Sequence, residues 1–319
     1  MTTTTKEKRR WLASYMNGNI RVRIYPDGTK TRTWREETTP QPAFPESIDM
    51  KITNSCDAGC PFCHESAVPN GKHATTRDIQ NLIRGLPYGV EVAIGGGNPL
   101  DHPCLEVLLR YLSSNLIVNL TVNAKHLEQP VQHNGFTIAA LRNAGFLHGL
   151  GISYAEEFEE QINTYANENT VIHFIAGIDK PSQAAKMLEQ GRKILILGYK
   201  SFGRGVNPSE DVQQSLLHWK AKLPALLSIS RSVVAFDNLA LNQLDAKQIL
   251  TEGTWNRLYM GDDGKFTMYI DAAAMQYAAS STSERFTIRH RMSIKQCFQE
   301  LQHERERKEK EQWEKEQGA

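Results

Sequence analysis

The chain has 319 residues, 40% of them hydrophobic and 23% charged, with 37 basic against 36 acidic side chains and a net charge of +1. That length suits one large α/β barrel or two ordinary domains, and the composition is that of a soluble globular protein. The near-neutral balance argues neither for nor against a nucleic-acid partner, and no apolar run reaches the roughly 20 residues that a membrane span requires.

Residues 1–10 carry four threonines and then Lys, Glu and Arg, and read as a disordered N-terminus without the apolar core of a secretory signal. Alternation over 20–25, a turn at Pro26-Asp27-Gly28 and a returning run over 29–34 predict a hairpin that covers the barrel. Its Arg21, Arg23, Lys30 and Arg32, with Arg35, read as solvated charge; a nucleic-acid surface is the alternative. Residues 38–45 hold three prolines and mark a linker. From residue 47 strand and helix alternate. Strands are predicted over 48–53, 91–94, 115–122, 150–153, 171–175 and 193–197. Helices are predicted over 75–86, from Pro103, and over 135–143, 155–166, 181–189 and 208–227. The helix over 75–86 opens on Thr75 and Asp78 as a capping box and sets Ile79, Leu82, Ile83 and Leu86 on one face. Strands written as near-continuous Val/Ile/Leu runs fit a parallel sheet covered by helices. Residues 230–236 could add a seventh strand. Residues 254–271 predict a hairpin outside the repeat, turned at Gly261-Asp262-Asp263-Gly264, and 293–317 one helix with a solvated, charged end.

After the first strand comes Cys56-Asp57-Ala58-Gly59-Cys60-Pro61-Phe62-Cys63. Three thiolates at this spacing can ligate three irons of a [4Fe–4S] cluster and leave the fourth iron open. A zinc site completed by His64 or His73 is the alternative. Five cysteines, an odd number with three clustered, do not suggest disulfides and suit a reducing cytoplasm.

The C-x3-C-x2-C array, with the aromatic Phe62 before its last cysteine, resembles the signature of the radical S-adenosylmethionine (SAM) superfamily. The resemblance covers about residues 47–205 and implies an α/β fold, a partial (β/α)6 TIM-like barrel. The chain adds an N-terminal hairpin and a C-terminal β-hairpin/helix extension. It implies Cys56, Cys60 and Cys63 as cluster ligands, and SAM bound through its amino and carboxylate groups to the open iron. Reductive cleavage of SAM would then give a 5′-deoxyadenosyl radical that abstracts hydrogen from substrate, with an electron donor such as flavodoxin or ferredoxin. Gly96-Gly97-Asn98-Pro99 resembles the family's Gly-Gly-Glu motif, with Asn98 in place of glutamate. Asn123 and Ser153 end strands where the family contacts the SAM ribose and carboxylate, and Phe62 matches the residue whose backbone meets the adenine.

The glycine-rich loop 198–205 offers Lys200 and Arg204 to the SAM carboxylate or to an anionic substrate group. Cys104 is a candidate hydrogen-atom donor to a product radical. Cys297 is a weaker one. His64 and Glu65 read as loop decoration, with substrate-facing acid/base groups as the alternative, His173 as a satisfied core histidine, and Asp237 and Asp271 as ends of late strands that could line the substrate side. The expected organisation is 1–10 disordered, 11–45 hairpin and linker, 46–228 barrel, 229–292 extension and 293–319 charged helix. The functional expectation is a cytoplasmic radical SAM enzyme acting on a peptide or protein. A nucleotide- or RNA-modifying enzyme and a non-catalytic zinc-binding interaction protein are the alternatives.

Overall fold

The computed structural model describes residues 10–132 and 135–317; of residues 1–10, expected to be disordered, all but Arg10 lie outside them. An antiparallel sheet comes first: β1 (Ala13–Asn17), β2 (Ile20–Ile24) and β3 (Lys30–Thr33), in that order. The sequence predicts only the β2–β3 hairpin. β1 joins through the two-residue turn at Gly18-Asn19, with Ala13, Tyr15 and Asn17 facing inward. Asn17 donates to the Phe44 carbonyl at 2.9 Å and accepts from the Ala43 and Phe44 amides, pinning the proline-rich linker to this sheet.

The main body alternates β4 (Ser47–Thr53), α1 (Thr76–Ile83), β5 (Glu91–Gly96), α2 (Leu105–Ser113), β6 (Ile117–Asn123), α3 (Ile138–Asn143), β7 (Gly149–Ser153), α4 (Glu159–Tyr165), β8 (Thr170–Ile175), α5 (Pro181–Glu189), β9 (Lys193–Leu197) and α6 (Glu210–Ile229). Strands β4 to β9 are parallel neighbours in sequence order, as the βαβ reading requires. The optional seventh strand exists as β10 (Val234–Phe236), parallel to β9. Three short helices follow: α7 (Asn238–Gln243), α8 (Ala246–Ile249) and α9 (Glu252–Leu258).

The hairpin expected over 254–271 is not formed. Its first half is α9, and its second half is β11 (Thr267–Asp271), which pairs parallel to β4 inside the main sheet. Glycines 261 and 264, both at positive φ, turn the chain from α9 into β11. The C-terminal hairpin is instead β11 with β12 (Gln276–Ala278), extended antiparallel by β13 (Phe286–Thr287). Helix α10 (Ile294–Gln317) closes the described chain. The ten-stranded sheet therefore runs β10-β9-β8-β7-β6-β5-β4-β11-β12-β13, open between β10 and β13.

Alternation decides what each strand gives to its two faces. On β4, Ile48, Met50 and Ile52 are buried beneath the helices, as are Val92, Ile94, Leu120, Ile172, Phe174, Ile194 and Ile196 on other strands. Each such side chain contributes about 2 kcal/mol by leaving water. The opposite face lines a lumen with Asp49, Lys51, Gly95, Thr121, Ser153 and His173. The N-terminal sheet seals the end where strands begin. Lys30 pairs with Glu91 at 2.5 Å and donates to Ser47 Oγ, Arg32 pairs with Glu46 at 2.8 Å, and Lys193 donates to the Asp27 carbonyl.

Candidate active site

The opposite end, where the parallel strands finish, carries the cysteine loop. A β-bridge between Ser55 and Val68 closes it, with Cys56 N donating to Val68 O and Asn54 N to Lys72 O. Cys56, Cys60 and Cys63 are free and half-buried, and all three line a cavity of about 340 Å³. That volume lies in the range of small-molecule sites. Burial pushes the Cys56 and Cys60 thiols up, and a bound cation favours their thiolate form.

A tetrahedral zinc with sulfurs at about 2.3 Å would draw those sulfurs to roughly 3.8 Å from one another. Among the described residues the ligand atoms that do converge within 4.8 Å belong to Cys56, Asp57 and His126, and the three cysteines do not form such a group. Neither histidine of the zinc alternative joins them: His73 Nδ1 bonds Thr53 Oγ1 at 2.8 Å, and His64 faces Lys200 and Glu65. Sulfurs assigned one to each iron of a cluster need no such convergence. The donor set fits a [4Fe–4S] cluster.

Two clamps hold this loop. Arg204 donates from Nε to the Cys60 carbonyl at 2.9 Å and from Nη1 to the Ala67 carbonyl at 2.8 Å, while its backbone amide reaches the Cys63 carbonyl at 3.0 Å. Gly203 permits that approach, because a Cβ there would lie 2.4 Å from the His64 carbonyl. On the other side, buried His126 bonds the Asp57 carboxylate at 2.7 Å and holds its pKa below the usual range, while Lys125 donates to the Asp57 carbonyl. Gly96 and Gly97 are required at the end of β5. A Cβ would lie 2.4 Å from Thr53 O in the first case and 2.2 Å from Ser55 O in the second. The two glycines let backbone from β5 lie against the cysteine loop at the cavity wall.

The expected site residues divide. Phe62, Gly96, Gly97, Asn123, Ser153 and Lys200 line the cavity. Asn123 also caps the next turn by accepting from Lys125 N. Arg204 is exposed, and its guanidinium is occupied by the cysteine loop's own carbonyls. Asn98 is 1% exposed and turns away: it caps Leu100 N and donates to Asp101 and to Gln129. Its amide fixes the turn after β5 and does not line the cavity. Cys104 is exposed at the start of α2, outside the cavity, because the 3-10 turn Pro99–Asp101 carries the chain away before the helix begins. That corrects its expected place over the substrate. Cys297 is buried on α10, where burial pushes its thiol up to about 12.

His173 is also corrected. It lines the cavity, and burial followed by the charge of Lys200 lowers its pKa to about 4, so the imidazole is neutral. Gly151 leaves the room for it, since a Cβ there would lie 2.6 Å from the ring. His64 and Glu65, read as decoration, are integral. Glu65 accepts from Lys51 at 2.6 Å, Arg285 at 2.9 Å and Tyr269 at 2.8 Å, and Asp271 lies 3.1 Å from Lys51 and 3.2 Å from Arg285. Burial alone would raise the Glu65 pKa, but Lys51 and the other nearby charges bring it down to about 2. The signal for this network is Lys51 itself: a cation in an apolar strand, at an inward position beside Asp49.

Comparison with known proteins agrees with this geometry. Residues 50–171 match the family model described as the Radical SAM superfamily. Among solved structures, Streptococcus suis SuiB bound to precursor peptide SuiA superposes with a TM-score of 0.53 at 13% identity. The match covers 75% of this chain and 60% of SuiB. SuiB bound to S-adenosylmethionine gives a TM-score of 0.52 at 14% identity, over 75% of this chain and 61% of SuiB. This chain thus spans about 60% of SuiB's length, and at that identity the likeness is one of fold. No curated protein matches the sequence. Among the described residues no helix is long and apolar enough to cross a membrane. The superfamily works with a [4Fe–4S] cluster and SAM, and Cys56, Cys60 and Cys63 fit its motif. Residues 50–171, which include the cysteine array, thus match the radical SAM superfamily, within a fold similar to that of SuiB.

Proposed function

We propose that this protein is a radical SAM enzyme, with the cluster held by Cys56, Cys60 and Cys63 and SAM in the adjoining cavity. The observation that carries the reading is the three-cysteine loop standing over a cavity whose other wall is the Gly95-Gly96-Gly97 turn. When bound, the cluster and SAM supply one-electron cleavage of SAM and hydrogen abstraction from substrate. The chain's own residues bind, orient and exclude. Backbone at Gly96 and Gly97 and the polar ends of β6 and β7, Asn123 and Ser153, hold SAM. Phe62 borders its adenine. Arg204 and the Asp57–His126 pair keep the cysteine loop in place from outside. The enzyme works in a reducing compartment, the cytoplasm, with a donor of single electrons such as flavodoxin or ferredoxin.

The substrate is proposed to be a peptide or protein. The outer pocket, about 420 Å³ and walled in part by the β11–β13 region, is open and polar, as a chain segment requires. SuiB, the similar structure, is bound to a precursor peptide. An RNA substrate would favour the basic hairpin lying beside the mouth; Lys30 and Arg32 instead pair with Glu91 and Glu46 at the far end. The test is formation of 5′-deoxyadenosine from SAM by the reconstituted, reduced protein, and its loss when the three cysteines become alanine.

A further inference from the structure

Where the inner cavity meets the outer pocket stand three cations, Lys51, Lys200 and Arg285, and two carboxylates, Glu65 and Asp271. Lys51 and Arg285 share Glu65 and Asp271. Lys200 has neither. Its Nζ donates to Ser281 Oγ at 2.8 Å and faces His64 Nε2 at 3.3 Å; among the described residues no carboxylate lies within ion-pair reach of it. His64 supplies no negative charge, since an imidazole is neutral or cationic, and its Nε2 is positioned to accept from the ammonium. An ammonium has three N–H donors, and two are used. Four carboxylates act on it from farther away: Asp49, on the wall of the same inner cavity, Asp263, which accepts from Asn238 Nδ2, and Asp237 and Glu65. Asp237 accepts from the Gly198 and Ala240 amides, and Glu65 holds Lys51 and Arg285. An ammonium removed from water without a carboxylate at ion-pair distance is unfavourable, and an incoming anion relieves it.

Lys200 lines the inner cavity on the side that meets the outer pocket. Lys200 follows β9, four strands across the sheet from the β5 glycine turn assigned to SAM. Both of its partners, Ser281 and His64, also line the outer pocket. That pocket adds the hydroxyls of Thr282 and Ser283 and the ring of Phe202, which packs edge-on against His64. Resting on the enzymatic reading above, we propose that Lys200 anchors a carboxylate of the substrate, so that the peptide taken into the outer pocket is an acidic one. Ser281 and His64 hold the ammonium at the seam, and its free N–H, with no carboxylate paired to it, selects the incoming carboxylate.

The test uses the full-length, anaerobically reconstituted protein saturated with SAM and left unreduced. Two isosteric peptides, acetyl-Gly-Glu-Gly-amide and acetyl-Gly-Gln-Gly-amide, are titrated by saturation-transfer NMR, and SAM affinity is measured by equilibrium dialysis. The acidic peptide should bind roughly tenfold tighter, as a charge-assisted bond predicts. Lys200→Gln should erase the difference, Lys200→Arg should retain part of it, and SAM affinity should stay within about twofold in both. Equal binding of the two peptides to the unsubstituted protein overturns the proposal. So does a preference that survives Lys200→Gln, or a SAM affinity that falls tenfold or more with Lys200→Gln, which would make the anion the carboxylate of SAM. Failure to form 5′-deoxyadenosine in a separate reduced sample would count against the enzymatic reading alone. If SAM does not bind, the peptides are compared on the SAM-free protein with the same criteria.

Discussion

Glu65→Gln removes one charge from the network at the mouth and leaves its shape. Glu65 is 6% exposed and takes Lys51, Arg285 and Tyr269 as donors. Its pKa of about 2, against an ordinary 4.5, corresponds to about 3 kcal/mol of stability at about 1.4 kcal/mol per tenfold in proton affinity. An independent route agrees. Stranding one partner of a buried pair costs about 3–5 kcal/mol, and Asp271, which still contacts both cations, places this case at the lower end. The folded pKa lies below the unfolded one, so the contribution is complete above pH 4.5 and is lost as pH falls toward 2. In guanidinium unfolding, Glu65→Gln should therefore be about 3 kcal/mol less stable at neutral pH, with the gap closing in acid. Adding Lys51→Met to Glu65→Gln should restore part of the loss. A deficit below about 1 kcal/mol at neutral pH, or one that does not change with pH, would refute the reasoning.

Arg204→Gln should lose cluster iron to a chelator several-fold faster than the unsubstituted protein. Its unfolding midpoint should barely move, since the side chain is exposed and its bonds go to the cysteine loop. Asn98→Glu, which restores the family's glutamate, should not tighten SAM binding. It should cost about 2 kcal/mol in thermal unfolding, because a buried carboxylate would face Asp101. Cys104→Ser should leave 5′-deoxyadenosine formation within about twofold of the parent, as an exposed helix-start residue outside the cavity requires.

Local patterns carried the readable part of the fold. The six β–α units repeat apolar runs at short range, and Thr75 caps its helix as its spacing with Asp78 predicts. β11 was opaque because its partner is β4, some 220 residues earlier, and no local pattern records that pairing. β1 was hidden because a polar residue, Asn17, takes one of its three inward positions and is satisfied by the linker. The site divides in the same way. The cysteine spacing announces a cluster from sequence alone. The direction of Asn98 depends on Asp101 and Gln129, and the role of Arg204 depends on carbonyls more than 130 residues away. The Lys51–Glu65–Asp271–Arg285 network joins three distant segments, of which the sequence exposes only the inward lysine.

The most direct measurement is anaerobic reconstitution with iron and sulfide, then SAM and dithionite, with 5′-deoxyadenosine followed by mass spectrometry. The account predicts a brown protein that releases 5′-deoxyadenosine, and a Cys56→Ala, Cys60→Ala, Cys63→Ala variant that is colourless and releases none. A colourless protein that binds zinc through these cysteines and leaves SAM intact would contradict it.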